Sequence, residues 1–145
     1  MHKNIIRMIG FATVLPLSAM AAAADLQVTV DGVRNDQGDI RIAVIGEKGR
    51  KDFPDAGKAA ARTIIAARKG RLTAAFHDLP PGKYAIAVFH DENGNGVLDS
   101  NLFGIPTEGY GFSGKTKGFM GPPSFDGASI DVGDDGTKVL VPLNY

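Results

Sequence analysis

The chain has 145 residues, equal numbers of acidic and basic side chains, and no cysteine. The lack of cysteine excludes disulfide bonds, thiol catalysis, thiolate metal sites and a lipid-modified N-terminal cysteine. A chain with so little net charge is a poor candidate for binding nucleic acid or anionic lipid.

Residues 1–24 have the pattern of an export signal. Lys3 and Arg7 form a basic start, an apolar segment follows, and Ala22-Ala23-Ala24 is an A-x-A cleavage site. The apolar segment is too short to span a bilayer comfortably. We therefore expect a periplasmic or secreted protein that begins at Asp25 and has no membrane span after cleavage. Residues 25–145 are then a single domain of 121 residues with a net charge of −2.

The mature chain alternates apolar and polar residues over short segments that end in Gly, Pro, Asn or Asp, which is typical of half-buried strands. Residues 83–90 are apolar on both faces and predict a central strand, joined as a hairpin to residues 71–78 through Leu79-Pro80-Pro81-Gly82. Residues 56–61 predict one helical turn. Seven strands are expected at 26–30, 40–45, 63–68, 71–78, 83–90, 128–132 and 137–143. The fold class is all-β: an antiparallel β-sandwich of about seven strands with a long Gly/aromatic loop.

The stretch after the central strand spaces oxygen-bearing side chains as a calcium loop does. Positions 1, 3, 5 and 9 of such a loop carry oxygen ligands, position 6 is glycine, and position 7 contributes its carbonyl. The candidate ligands are Asp91, Asn93, Asn95, Val97 through its carbonyl, Asp99 and Glu108. We expect calcium to bind weakly, with a dissociation constant of roughly 10⁻⁴–10⁻³ M as in extracellular modules.

Position 12 departs from the calcium pattern, because Leu102 stands where a bidentate Glu belongs. Glu108 can fill that place only if the loop reverses in space. The alternative is that Asn93-Gly94 and Asn95-Gly96 are simply turn residues and bind no ion.

Residues 101–125 form a long loop that mixes glycine with the aromatic residues Phe103, Tyr110, Phe112, Phe119 and Phe125. Loops of this length in a compact domain are usually functional or disordered, and aromatic side chains can stack on sugars or hold an extended peptide. We expect Phe103 and Phe125 to cap the sandwich. Tyr110 and Phe112 are candidate ligand-binding residues, and the partner is an unknown protein, peptide or glycan.

The segment FHDLPPGKYAIAVFHDENGNGVLD resembles exported β-sandwich modules related to transthyretin and the carboxypeptidase regulatory domains. The fuller run HDENGNGVLDSNLFGIPTEGYGFS, with FMGPPSF after it, is similar to the bacterial family catalogued as domain of unknown function 2141. The resemblance covers most of residues 25–145 and is tightest over 76–125. The resemblance implies an exported sandwich domain of transthyretin-like or immunoglobulin-like fold, without an established activity.

No catalytic constellation is found in the sequence. Gly111-Phe112-Ser113-Gly114 lacks the spacing of a nucleophile elbow. On the hairpin interpretation, His77 and His90 would lie roughly 20 Å apart at about 3.3 Å per residue, too far for a shared zinc ion. The expected function is an exported, non-enzymatic module that binds calcium weakly and presents its loop to a partner. The alternatives are a carbohydrate- or peptide-binding accessory domain without a metal and, third, a hydrolase using Asp or Glu.

Overall fold

A computed structural model of the chain describes residues 23–115 and 121–145. It has eight strands: β1 (Ala24–Val33), β2 (Asp39–Gly46), β3 (Ala61–Ala66), β4 (Gly70–Leu79), β5 (Gly82–Asp91), β6 (Tyr110–Phe112), β7 (Ser129–Val132) and β8 (Thr137–Pro142). Two short 3-10 helices (Glu47–Asp52 and Ala56–Lys58) lie between β2 and β3, and a one-turn helix α1 (Phe125–Ala128) precedes β7. The expected export signal up to Ala22, and Phe119, lie outside the described residues.

The strands form two sheets, as expected for a β-sandwich. The first sheet has the order β4-β1-β8, and the second has the order β3-β2-β5-β6. β7 also pairs directly with β5, along residues 82–85, whereas β6 pairs along residues 87–89. The pairing is antiparallel except between β1 and β8, which run parallel. The predicted all-β sandwich is confirmed. The strand that the sequence did not predict is β6, whose three residues are too few to show a period.

The predicted hairpin between residues 71–78 and 83–90 is wrong, because β4 belongs to the first sheet and β5 to the second. Pro80 and Pro81 have no N–H to donate to a ladder, so pairing cannot continue through this connection. Phe76 of β4 and Ile86 of β5 are both buried in the same core. They reach that core from opposite sheets, so the connection crosses from one layer to the other.

The main core lies between the two sheets and consists of the inward residues of each strand. Leu26, Val28 and Val30 of β1 are fully buried there, as are Ile86 and Val88 of β5. A run of alternating apolar residues buries one face in this way, so the period of two predicted β1 correctly.

A second, smaller core covers the outer face of the second sheet. Ala85 of β5 and Ile45 of β2 are buried there beneath Phe125 and Ala128 of α1, with Phe53 packed alongside. Because β5 has a core on each side, both of its faces are apolar, which confirms the predicted central strand. In the described parts of the chain, no helix is long and apolar enough to cross a membrane.

Candidate functional site

Residues 91–108, here called the 91–108 loop, leave the end of β5 and return to it before β6. The chain reverses where the N–H of Thr107 donates to the carbonyl of Asp99 (2.8 Å). Ser100 and Pro106 form a β-bridge just beyond that point. This reversal brings Glu108 back beside the first residues of the loop. Glu108 could replace the missing Glu at position 12 of a calcium loop only if the chain reversed in this way.

The carboxylate of Asp91 is fully buried and anchors the start of the loop. Its Oδ1 accepts from the N–H of Asn95 (3.0 Å), and its Oδ2 accepts from the N–H of Gly96 (2.8 Å) and from Nε of Arg41 (2.6 Å). Burial opposes ionisation of this carboxyl, but the Gly96 N–H and the Arg41 guanidinium outweigh it, so the pKa of Asp91 lies below its ordinary value. The charged form of Asp91 thus holds the turn together.

Glu108 anchors the returning end of the loop. Its side chain is almost fully buried, and its two oxygens accept from the backbone N–H groups of Glu92 (2.8 Å) and Asp99 (3.0 Å). Hydrogen bonds from backbone N–H groups stabilise the charge of a buried carboxylate without the help of a metal ion. Two buried carboxylates, one on each end, therefore fix the base of the loop.

Asp99 lies beside the carboxamides of Asn93 and Asn95. Nδ2 of Asn93 donates to it at 2.6 Å, and Nδ2 of Asn95 donates to both of its oxygens at 3.0 Å. The carboxamide oxygens accept from backbone N–H groups: Asn93 Oδ1 from Asn95 (3.0 Å) and Asn95 Oδ1 from Val97 (2.9 Å). The predicted residues Asn93, Asn95 and Asp99 are thus brought together.

The loop lacks a larger cluster of acidic and histidine side chains among the described residues. Over residues 23–115 and 121–145, no group of three or more His, Asp or Glu side chains is placed to hold a metal ion. A cation in this loop would therefore depend on Asp99 together with carboxamide and carbonyl oxygens.

Arg34, Arg41 and Glu92 also hold the loop, and sequence reasoning did not select them. Glu92 forms an ion pair with Arg34 and accepts from Nδ2 of Asn35 (2.6 Å). The hydrogen bond from Arg34 holds the pKa of Glu92 below its ordinary value. These contacts join the loop to the β1–β2 connection, more than fifty residues away, and no local sequence pattern indicates such a pairing.

The far end of the loop exposes three large apolar side chains, Leu102, Phe103 and Ile105, here called the apolar tip. The side chain of Asn101 builds this turn, because its Oδ1 accepts from the N–H groups of Phe103 (2.9 Å) and Ile105 (3.1 Å). Phe103 is 87% exposed. The expectation that it caps the sandwich is therefore wrong, since the Asn101 turn directs it away from the core.

Tyr110 and Phe112 lie on β6 and are half-buried. Phe112 packs edge-on against Phe53, with ring centroids 5.7 Å apart, and Tyr110 packs against Phe112 at 6.1 Å. Phe125 is buried in the same small core, so it turns inward as expected but covers the outer face of the second sheet and does not cap an end of the sandwich. The ligand-binding role of Tyr110 and Phe112 stays a prediction.

The two histidines lie in different sheets. His77 is exposed on β4 beside Asp25 (3.0 Å), whereas His90 is buried on β5. Nε2 of His90 contacts the carbonyl of Gln37 (2.6 Å), so this nitrogen carries the proton, and Nδ1 accepts from the hydroxyl of Tyr145 (2.7 Å). His90 thus secures the end of the chain, a role that its place in the sequence did not indicate.

Comparison with known proteins finds one family. The family model of DUF2141, described as an uncharacterized protein conserved in bacteria, matches residues 28–140. The match runs from β1 to β8 and includes the whole 91–108 loop. No curated protein and no solved structure matches the chain.

Proposed function

The chain belongs to the bacterial family DUF2141, and from that premise we propose that it is an exported, non-catalytic binding module. Its contact surface is the apolar tip of the 91–108 loop. One observation carries this proposal: Leu102, Phe103 and Ile105 are all exposed on a loop whose base is fixed by buried carboxylates. Exposed apolar clusters on soluble domains commonly mark interaction sites.

The fixed base supports binding because it lowers the entropy lost when a partner engages the tip. Asp91 and Glu108 together accept from four backbone N–H groups of the loop, those of Asn95, Gly96, Glu92 and Asp99. A loop that is already ordered gives up little further freedom on binding.

The same contacts argue against acid–base catalysis by the two buried carboxylates. A general acid or base must reach a substrate proton within hydrogen-bond distance, whereas Asp91 and Glu108 are buried and occupied by backbone donors. A hydrolase that uses these groups is therefore disfavoured relative to a binding module.

The composition of the tip favours a protein partner with an apolar groove over a glycan. Two of its three side chains, Leu102 and Ile105, are aliphatic, so Phe103 is the one aromatic face that the tip offers to a sugar ring. Burial of an aliphatic or aromatic side chain is worth about 1.5–3 kcal/mol, so the tip can supply a compact hydrophobic anchor.

A photo-crosslinking amino acid at position 103, introduced in living cells, tests this surface. The matched control is position 140, where Leu140 is also an exposed apolar residue. We expect a discrete protein adduct from position 103 and none from position 140. The same adducts from both positions, or none from either, would contradict the proposal, and saturable glycan binding that is weakened by Phe103→Ser would favour the carbohydrate-binding alternative.

Weak calcium binding is a second candidate function, favoured by the cluster of Asp99, Asn93 and Asn95. Both carboxamides are exposed, so each can turn its oxygen toward an ion, and Asp99 supplies a negative charge. Of the two carboxylates at ligand positions of the loop, Asp91 is held by backbone donors and Arg41, so Asp99 is the charged ligand that remains. This is consistent with a weak extracellular type of site.

Thermal unfolding with calcium, magnesium or a chelator tests this candidate. At free calcium about a hundred times the dissociation constant, the native state gains roughly 2.7 kcal/mol, which raises Tm by several degrees. Asp99→Asn should remove the shift, whereas the control Asp134→Asn, at an exposed turn, should keep it. An unchanged Tm for the wild type at calcium about a hundred times that dissociation constant would mean that the stretch is a pair of Asn-Gly turns and binds no ion.

A further inference from the structure

β3 is an open edge of the second sheet. It pairs with β2 along one side in a continuous register from Ala61 to Ala66. Among the described residues, no strand pairs with its other side. An unpaired edge presents backbone donors and acceptors that can extend the sheet into another chain.

The register shows which backbone groups face outward. The N–H of Ala67 donates to the carbonyl of Gly38 (3.0 Å) at the end of the β2–β3 ladder. Residues alternate between the two sides of an antiparallel strand, so Thr63 and Ile65 direct their backbone groups toward β2. Arg62, Ile64 and Ala66 therefore direct theirs to the open edge.

The other exposed edges carry features that discourage pairing, and β3 does not. β4 has bulged register against β1 and a positive φ at Asp78, and β8 ends in Pro142. β6 and β7 are only three and four residues long. β3 has no Gly, no Pro and no bulge, and Ile64 is 55% exposed on it.

The one charge on β3 does not block the edge. The guanidinium of Arg62 turns back onto its own chain, where Nη2 donates to the carbonyl of Ala56 (2.7 Å). The edge is therefore largely apolar, and its one charged side chain already has a partner. A second strand of the same composition can pair with such an edge.

We propose that β3 pairs antiparallel with β3 of a second copy of this chain, across a two-fold axis at Ile64. With Ile64 opposite Ile64 of the partner subunit, the outward backbone groups of Arg62, Ile64 and Ala66 all meet partners. Arg62 then lies opposite an alanine, so no like charges face each other. The pair buries two isoleucine side chains that are exposed in the single chain, and it does not involve the apolar tip.

A single thiol at the axis provides the sharpest test, because the chain has no cysteine. Directly opposed residues of a hydrogen-bonded antiparallel pair have Cα atoms about 5.5 Å apart, within the range of about 4.4–6.8 Å that a disulfide spans. Under mild oxidation we expect Ile64→Cys to form a covalent dimer at least about tenfold faster than Leu140→Cys. Equal rates at the two positions would overturn the proposal.

Sedimentation of the wild-type protein provides the second measurement. Ile64→Lys places like charges opposite each other and should raise the dimer Kd at least about tenfold, whereas Leu140→Lys should leave it unchanged. A wild-type chain that stays monomeric at millimolar concentration would overturn the proposal. So would an Ile64→Cys disulfide formed to a different protein in place of a second copy.

Discussion

At the scale of single residues, Asp91 shows how one buried carboxylate organises a loop. Its two oxygens accept hydrogen bonds from the backbone N–H groups of Asn95 and Gly96 and from Nε of Arg41, so both oxygens of the charged carboxylate have donors. Arg41 is 26% exposed, so the buried groups that depend most on Asp91 are the two backbone N–H donors. Its spacing with the Asn-Gly pairs suggested an ion ligand, whereas its contacts are with the protein itself.

Asp91→Asn should destabilise the protein at pH 7 by about 1–3 kcal/mol, because an amide nitrogen in place of one carboxylate oxygen leaves a buried backbone N–H without an acceptor. The pKa of Asp91 is lowered by folding, so its stabilisation is present above the unfolded value of about 3.9 and is lost as pH falls through the folded value. The difference between wild type and variant should therefore shrink below about pH 4. Urea unfolding at pH 7 and pH 3 measures both effects.

The control for Asp91 is Asp31→Asn, which breaks the exposed ion pair with Arg71. Exposed pairs contribute at most about 1 kcal/mol. A loss from Asp91→Asn no larger than that from Asp31→Asn would contradict the anchoring role of Asp91.

At the scale of elements, the short strand β6 depends on its close contact with the chain at the end of β8. Gly111 faces the end of β8, and an added Cβ would overlap the carbonyl oxygen of Pro142. The N–H groups of Tyr110 and Asn144 each donate to the other residue's carbonyl, at 2.9 and 2.8 Å. The glycines among the aromatics therefore allow two backbones to approach closely.

Gly111→Ala should destabilise the protein by about 1–3 kcal/mol, as expected when a methyl group is forced into a packed contact. Gly133→Ala is the matched control, since a Cβ there has no atom within 4 Å. Guanidinium unfolding of both variants measures the difference. Equal free energies of unfolding for the two variants would mean that β6 can move away from β8 without loss of stability.

At the scale of the whole molecule, the chain passes repeatedly between the two sheets. β1 lies in the first sheet and β2 in the second, and β3 and β4 are divided in the same way. The side chains of both sheets then fill one core. This arrangement also places the start of β1 at Ala24, which is buried and pairs with Leu79.

The start of β1 coincides with the predicted cleavage point, which leads to a prediction about export. The protein recovered from the periplasm or medium should begin at Asp25, because the A-x-A signal ends at Ala24. Intact-mass measurement checks the N-terminus. Recovery of a membrane-bound form that retains residues 1–24 would contradict export by cleavage.

Much of the fold could be predicted from local pattern. Strand β1 alternates Leu26, Val28 and Val30 with polar residues, and this alternation by itself defines a strand with one buried face. The apolar residues on both faces of β5 likewise indicated a central strand. The loop residues Asn93, Asn95 and Asp99 were grouped correctly, because turn chemistry acts over a few residues.

The sequence by itself thus determined the all-β class, the positions of seven strands, the family and the location of the loop. Only the tertiary structure decided that β4 and β5 lie in different sheets, that Phe103 faces solvent, and that Arg41 binds Asp91 across two strands. The physical reason is the range of the forces. Side-chain alternation and turns are set by neighbouring residues, whereas strand partners and buried ion pairs depend on which distant segments share the core.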